Sequence, residues 1–239
     1  NLELQAQALY KQWFVDFEFP NEEGKPYKSL GGKMVDSELG PLPDGWCVGK
    51  LEDLGDIIGG GTPSKAVAEY YTKNDIAWIT PKDLSVSHLK FTAKGETDIT
   101  ELGYKNSSAK IMPRGSVLFS SRAPIGYVSI AKNDICTNQG FKSVVPNNGY
   151  TAFVYYFLLS NTENIESKAT GSTFKEASGA LMKSLELVIP SEDILDKFEN
   201  IMSPIFESQE KFEAENETLA ILRDTLLPKL MNGEIKVAE

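Results

Sequence analysis

Beyond Pro190 the apolar residues fall at Phe198, Ile201, Ile205, Phe212, Leu219, Leu222 and Leu226, alternating steps of three and four as a heptad seam does. Ser208 and Glu215 fill the two seam places in between, so the stripe weakens midway. A helix continuous over residues 192–227 is roughly 54 Å long at 1.5 Å per residue. No single domain built from residues 44–190 buries a rod of that length, so the spacing predicts a coiled-coil-like helix that pairs elsewhere. An amphipathic helix folded back along its own domain fits the same spacing and stands as the other reading. Pro204 bends such a helix or marks a late start.

The rest of the chain divides by its breakers. Residues 2–18 read as a short helix with Leu2, Leu9, Trp13 and Phe17 toward one side, and Pro20 forbids easy continuation. Prolines and glycines crowd residues 20–43, the mark of a linker or crossing segment. From about Trp46, short strands are expected at residues 47–51, 76–80, 117–120, 127–130, 141–145 and 185–189, with one apolar helix at 151–160. Unequal strand spacing around one helix predicts an α+β domain; regular βαβ alternation is absent. A faint echo links residues 9–14 at the end of the first helix with residues 226–231 at the end of the last.

Charge follows the same division. The formal net charge is −10. Residues 1–43 carry four Lys/Arg and seven Asp/Glu, residues 44–190 fifteen of each, and residues 191–239 five against twelve. The acidity thus belongs mainly to the tail, and the middle domain is neutral. Residues 82–142 hold nine basic against five acidic side chains, enough for weak attraction to phosphate.

Most catalytic chemistry is missing. Cys47 and Cys136 are far apart and in no metal-ligand spacing, and His88 is the only histidine. Both facts favour a reducing cytoplasm and argue against a metal site. No apolar run approaches a membrane span, and no signal-peptide plan opens the chain. Gly59-Gly-Gly-Thr-Pro-Ser-Lys65 lacks the ending of a Walker loop, and Pro63 removes one of the amides such a loop uses. His88 reads as an ordinary surface histidine in a polar stretch, and Glu213, Glu215 and Glu217 as a solvated helix face. No nucleophile elbow, dinucleotide fingerprint or adenine-methyltransferase motif occurs, so the chain is expected to catalyse nothing.

What is present is a set of small polar clusters beside glycine or proline: Gly61-Thr-Pro-Ser-Lys65, Thr80-Pro-Lys-Asp83, Ser120-Ser-Arg-Ala-Pro124, Thr137-Asn-Gln139 and Gly171-Ser-Thr-Phe-Lys175. Such side chains contact phosphates and base edges, Arg and Lys suiting guanine, Asn and Gln suiting adenine. The same residues also cap loop backbones, and for any single cluster that reading comes first.

Taken together, the motifs resemble the C-terminal half of a type I restriction–modification specificity subunit over essentially the whole chain. Ala8-Leu-Tyr-Lys-Gln-Trp-Phe-Val-Asp-Phe17 is similar to the end of that family's central conserved helix, and Asp36-Ser-Glu-Leu-Gly-Pro-Leu-Pro-Asp-Gly-Trp46 to the approach to its second target-recognition domain. Gly60-Gly-Thr-Pro-Ser64, Trp78-Ile-Thr-Pro-Lys-Asp83, Leu118-Phe-Ser-Ser-Arg-Ala-Pro-Ile-Gly126 and Cys136-Thr-Asn-Gln-Gly-Phe141 follow in family order. Leu222-Arg-Asp-Thr-Leu-Leu-Pro-Lys-Leu-Met-Asn-Gly-Glu-Ile235 is similar to its terminal conserved stretch. One departure is local: relatives often carry a Pro-rich turn with a glutamine after the last strand, and Pro190-Ser-Glu-Asp-Ile-Leu195 has none.

The resemblance implies a non-catalytic DNA-recognition subunit. Its parts would be the end of a conserved helix (1–19), a linker (20–43), one target-recognition domain (44–190), and a spacer or dimerisation helix with a tail (191–239). The family reads one half of a split double-stranded DNA target with each such domain. Its helices dock methyltransferase subunits that use S-adenosylmethionine, and the restriction subunit that joins them uses ATP and Mg; this chain itself would hold no cofactor and no metal. The candidates for DNA contact are Thr62, Ser64, Lys65, Lys82, Ser121, Arg122, Asn138, Gln139, Ser172 and Thr173. Motifs shared by a family that reads many sequences suit scaffold or phosphate contact, so residues 85–92 and 94–110 are the alternative specificity segments. The seam residues Phe198, Ile201, Ile205, Phe212, Leu219, Leu222 and Leu226 would bind a partner helix, as a homodimer of half-subunits facing an interrupted palindrome. The chain opens at Asn1 without methionine, and a native half-subunit and a piece of a full-length one both fit. The rival function is a decoy that binds the methyltransferase subunit without reading DNA. A nuclease would need clustered acidic metal ligands.

Overall fold

The structure, a computed structural model, describes residues 1–87, 89–171 and 175–235. His88, Ser172 and Thr173 lie outside the described residues. The chain opens with helix α1 (Leu2–Tyr10), which widens into a π-type turn over Lys11–Val15 and stops before Phe17, whose φ is +61°. The helix is thus shorter than the expected 2–18, because a left-handed residue cannot continue it.

The glycine- and proline-rich segment forms turns and a hairpin of β1 (Met34–Val35) and β2 (Leu42–Pro43). It is tied down by ring stacking: Phe19 lies 4.6 Å from Tyr27 and 4.9 Å from Trp46, centroid to centroid. Next come β3 (Cys47–Lys50), α2 (Leu51–Leu54), β4 (Gly55–Gly59), β5 (Tyr71–Thr72) and β6 (Trp78–Ile79). Then follow α3 (Pro81–Ser87), β7 (Phe91–Thr92), β8 (Asp98–Ile99) and α4 (Glu101–Lys105). The second half of the domain holds β9 (Val117–Ser121), β10 (Ile125–Ala131), β11 (Cys136–Thr137) and β12 (Lys142–Pro146). It closes with α5 (Thr151–Ser160), α6 (Thr162–Lys168), α7 (Gly179–Lys183), β13 (Glu186–Ile189) and the long α8 (Glu192–Met231). The α+β class expected from the strand spacing holds.

Five strands form the central sheet in the order β4-β12-β9-β10-β7, antiparallel except where β7 joins β10 in parallel. Strand alternation sorts the two sides of β9: Val117 and Phe119 join the core that contains α5, while Leu118 packs with Met112, Ile135 and Phe141 behind the sheet. Both sides are covered, so every β9 residue is buried. α5 lies between the sheet, α1 and α8, and its residues Ala152 to Leu158 are all buried, which explains a helix that is apolar on every side.

The tail corrects the first expectation. α8 runs through Pro204 and Pro228 for 40 residues, about 60 Å. Its first half does fold back on its own domain, burying Ile194, Leu195, Phe198, Met202, Phe206 and Gln209. The heptad seam is therefore split. Phe198 is wholly buried, with ring centroids of Phe14 at 4.8 Å and Trp13 at 5.7 Å, and Ile205 packs against the same core. Phe198 is not available to a second chain, since Trp13 and Phe14 cover it, whereas Ile205 is only partly buried. Ile201, Phe212, Leu219, Leu222 and Leu226 are exposed, and beyond Gln209 no residue of α8 is buried.

Candidate nucleic-acid interface

Four polar loops converge at one end of the domain because their backbones are bonded to one another. The glycine-rich turn lies flat on the β11 loop: Gly61 N donates to Thr137 O at 2.9 Å, and the Trp78 indole donates to Gly61 O at 2.9 Å. A Cβ on Gly60 would stand 1.9 Å from Asn138 O, so only glycine permits that approach. α3 starts with Thr80 before Pro81, and Asp83 accepts from the Thr80 amide at 2.8 Å and its hydroxyl at 2.6 Å. This is the acidic half of a capping box with proline at the first helical position. Ser120 Oγ donates to Pro124 O and accepts from Tyr127 N, both at 2.8 Å, shaping the loop that carries Arg122.

Between these loops lies a cleft of about 700 Å³. Thr62, Lys65, Lys82, Arg122, Asn138 and Gln139 all line it, with Tyr71 and Trp78 supplying aromatic surface and Glu96 and Thr97 the far rim. The Thr62 hydroxyl donates to Gln139 Oε1 across 77 positions of sequence. Asn138 Oδ1 accepts from Gly140 N at 2.8 Å, an Asx-type turn that fixes the side chain. Lys82 pairs with Glu96 at 2.8 Å, and that bond holds its ammonium above the usual lysine range.

The remaining sequence candidates sit elsewhere. Ser64 is exposed on the turn beside Lys65. Ser121 is wholly buried, its amide bonded to Gly140 O and its carbonyl to Ala177 N, so it cannot contact a ligand in this fold. Of the alternative segments, residues 90–92 are also buried: they lie at the sheet edge formed by β7 and bond to Glu213 of α8. Residues 94–110 do supply Glu96 and Thr97 to the cleft. Sequence reading missed Tyr71, whose hydroxyl donates to Pro63 O, and named the segment of Glu96 without singling out that residue, which pairs with Lys82. A tyrosine and a glutamate in polar surroundings carry no local signal of such pairing.

A second polar site ties the stem to this domain. Lys90, 8% exposed, places Nζ 2.7 Å from Glu3 Oε2, 2.7 Å from the Tyr156 hydroxyl and 3.0 Å from Gln209 Oε1. Its Nζ also lies 3.9 Å from the Phe206 ring centroid, a cation–π contact. Burial pushes the Lys90 ammonium down to about 8 despite these partners. Three carboxylates of α8 complete the dock. Glu199 accepts from Ala152 N at 3.1 Å and Phe153 N at 2.9 Å, and burial pushes its carboxyl up to about 7. Glu210 pairs with Arg114 at 2.6 Å. Glu213 accepts from Lys90 N at 3.0 Å and Phe91 N at 3.2 Å, so it is not the solvated residue the sequence pattern indicated.

Among the described residues no group of three or more His, Cys, Asp or Glu side chains is placed to hold a metal ion, and no helix is long and apolar enough to cross a membrane.

Residues 43–219 match the model of the type I restriction modification DNA specificity domain. The MjaIX specificity subunit of a type I restriction enzyme from Methanocaldococcus jannaschii is 39% identical, over 78% of this chain and 44% of that protein. The HindI specificity subunit from Haemophilus influenzae is 28% identical, over 98% of this chain and 62% of that protein. This chain thus spans about half the length of the curated relatives it matches. In fold it is similar to the S subunit of a type I restriction–modification system from M. genitalium, with a TM-score of 0.55, 20% identity, and 79% of this chain and 47% of that one covered. A chain from a structure of type I R-M complex assembly gives a TM-score of 0.54 at 20% identity, covering 95% of this chain and 51% of that one. The chain belongs to the type I restriction–modification DNA specificity family and carries one recognition domain of a specificity subunit.

Proposed function

We propose that this chain reads one half of a bipartite double-stranded DNA target through the cleft between Lys82 and Arg122, and that its helical stem docks a methyltransferase subunit. The observation that carries the first half is convergence: Thr62, Lys65, Lys82, Arg122, Asn138 and Gln139, spread from residue 62 to residue 139, line one cleft. Lys65, Lys82 and Arg122 supply phosphate or guanine contacts, and Gln139 and Asn138 supply amides suited to adenine. A neutral domain grips the DNA backbone weakly alone, so the reading includes a partner that contributes charge. That partner, the methyltransferase subunit, would bring S-adenosylmethionine, and a restriction subunit would bring ATP and Mg; this chain would contribute recognition only, in the cytoplasm.

The exposed positions of the split seam, Ile201, Phe212, Leu219, Leu222 and Leu226, support pairing with a second helix. In a homodimer the two readers would face DNA with two-fold symmetry, and the target would be an interrupted palindrome. The test is methylation mapping of a host genome after co-expression of this chain with its cognate methyltransferase subunit. A new methylated motif is the expected result, its symmetry reporting the assembly. A stable complex that confers no new motif would replace this reading with an inactive fragment or a decoy that binds the enzyme without reading DNA.

A further inference from the structure

Arg122, at the lip of the cleft, is not held alone. Glu176 stands between two cations, with Oε1 3.1 Å from Lys142 Nζ and Oε2 3.6 Å from Arg122 Nη1. The backbone fixes the carboxylate in that place. Glu176 N donates to Thr170 O at 2.9 Å, and the next residue, Ala177, donates its amide to Ser121 O at 2.9 Å, directly beside Arg122. Lys142 is largely shielded, at 17% side-chain exposure, whereas Arg122 and Glu176 are each 36% exposed. The Arg122 contact is longer than a hydrogen bond, so the guanidinium is loosely engaged. One carboxylate with two oxygens aimed at two cations has the geometry by which a phosphate group is bound.

We propose that Glu176 is an internal counter-ion standing where a DNA phosphate binds, so that DNA must displace it from Arg122 and Lys142. The proposal rests on the reading of this cleft as the DNA interface and adds to it a residue that sets how tightly any DNA is held. Because Glu176 opposes the backbone and not a base, its effect is the same for every sequence. It subtracts one positive charge from the phosphate contact of the free chain. Counter-ion release then predicts the size: one more uncancelled charge steepens the slope of log affinity against log salt by about 0.9, an eight-fold effect, roughly, per ten-fold change in salt.

The experiment measures binding of the full chain to a short fluorescent duplex of mixed sequence by anisotropy across a salt series, for wild type, Glu176→Gln, Arg122→Ala, and the Arg122→Ala, Lys142→Met background with and without Glu176→Gln. Glu176→Gln is isosteric, and thermal melting of each variant establishes that it folds. The expected result is that Glu176→Gln binds more tightly, that its advantage grows about eight-fold as salt falls ten-fold, and that the advantage vanishes in the double-cation background. If Arg122→Ala weakens binding but Glu176→Gln does not tighten it, the counter-ion role is overturned while the cleft reading stands. If Arg122→Ala and Glu176→Gln both bind as wild type does, the cleft reading falls and takes the counter-ion role with it. Preferential loss on one target sequence with Glu176→Gln would make Glu176 a base contact, which also overturns the proposal.

Discussion

Replacing Glu199 with glutamine separates the charge of a buried carboxylate from its shape. Glu199 sits on α8 and accepts from two successive amides at the start of α5, where the helix dipole also favours a negative group. Burial nevertheless outweighs these contacts and pushes the carboxyl from 4.5 up to about 7. The sign follows from proton counting. Between about 4.5 and about 7 the folded chain holds a proton that the unfolded chain has lost, so stability falls as pH rises through that window. At 1.36 kcal/mol per unit, the whole effect is about 3 kcal/mol. Glutamine carries no charge and cannot titrate, but it turns an amide donor toward one of the two backbone N–H groups, a fixed cost of about 1 kcal/mol. Glu199→Gln is therefore expected to be less stable than wild type by about 1 kcal/mol below about pH 4, nearly equal to it near pH 5, and more stable by about 2 kcal/mol near pH 8. Urea denaturation of both chains at constant ionic strength reads this directly, since every other titrating group cancels in the difference. A difference that stays constant from pH 5 to pH 8, within about 0.5 kcal/mol, would refute the reasoning.

The split seam gives a contrasting pair. Phe198→Ala is expected to cost about 3–5 kcal/mol in thermal or denaturant unfolding, because it empties a site enclosed by Trp13 and Phe14. Phe212→Ala, on the exposed side of α8, should leave stability within about 0.5 kcal/mol and instead weaken self-association, as measured by light scattering. Lys90→Met removes the ammonium shared by Glu3, Tyr156 and Gln209, and hydrogen exchange should show α1 released before the sheet. Because burial holds Lys90 at about 8, below its ordinary 10.5, wild type should gain stability relative to that variant as pH rises from about 8 toward 10.5. In methylation mapping, Gln139→Ala should relax one position of the motif, by about 1–3 kcal/mol of discrimination, and Ser121→Ala should leave the motif unchanged.

Much of the fold was legible because it rests on local signals. The apolar run at 151–160 is unbroken and longer than most strands, which marks a buried helix, and α5 has the expected bounds. β3, β9, β10, β12 and β13 fall where alternation and turn residues placed them, within a residue or two. The short parallel pair of β6 and β11 was half visible: residues 76–80 read as a strand, but two residues at 136–137 are too few to show a period. The tail shows why a correct pattern can mislead. A heptad template fits Phe198 and Ile205, but the face that α8 turns to the domain is spaced at Phe198, Met202, Phe206 and Gln209, all buried, and continues to the half-buried Glu213, so it includes two polar residues. Their apolar character cannot flag them, since Gln209 and Glu213 are satisfied by Lys90, distant in sequence. The cleft was legible as a set of loops because Ser, Thr, Asn and Gln beside Gly or Pro mark both turns and contact surfaces. Which side chains point inward depended on the register of β9 against the 138–140 turn, which turned Ser121 in and Arg122 out.

α8 leaves the domain after Glu213 and continues to Met231, a cantilever of roughly 27 Å at 1.5 Å per residue. Whatever grips its far end feels every angular error at the root, multiplied by that length. A tilt of about 7° moves the tip by about 3.4 Å, the rise of one base pair. The carboxylates of Glu199, Glu210 and Glu213 clamp the root at three points along the helix, and under the proposed function they would set the mechanical tolerance with which a domain bound to DNA addresses a distant partner. Softening that clamp, with no change to a single DNA contact, would blur a defined spacer into a range of spacers.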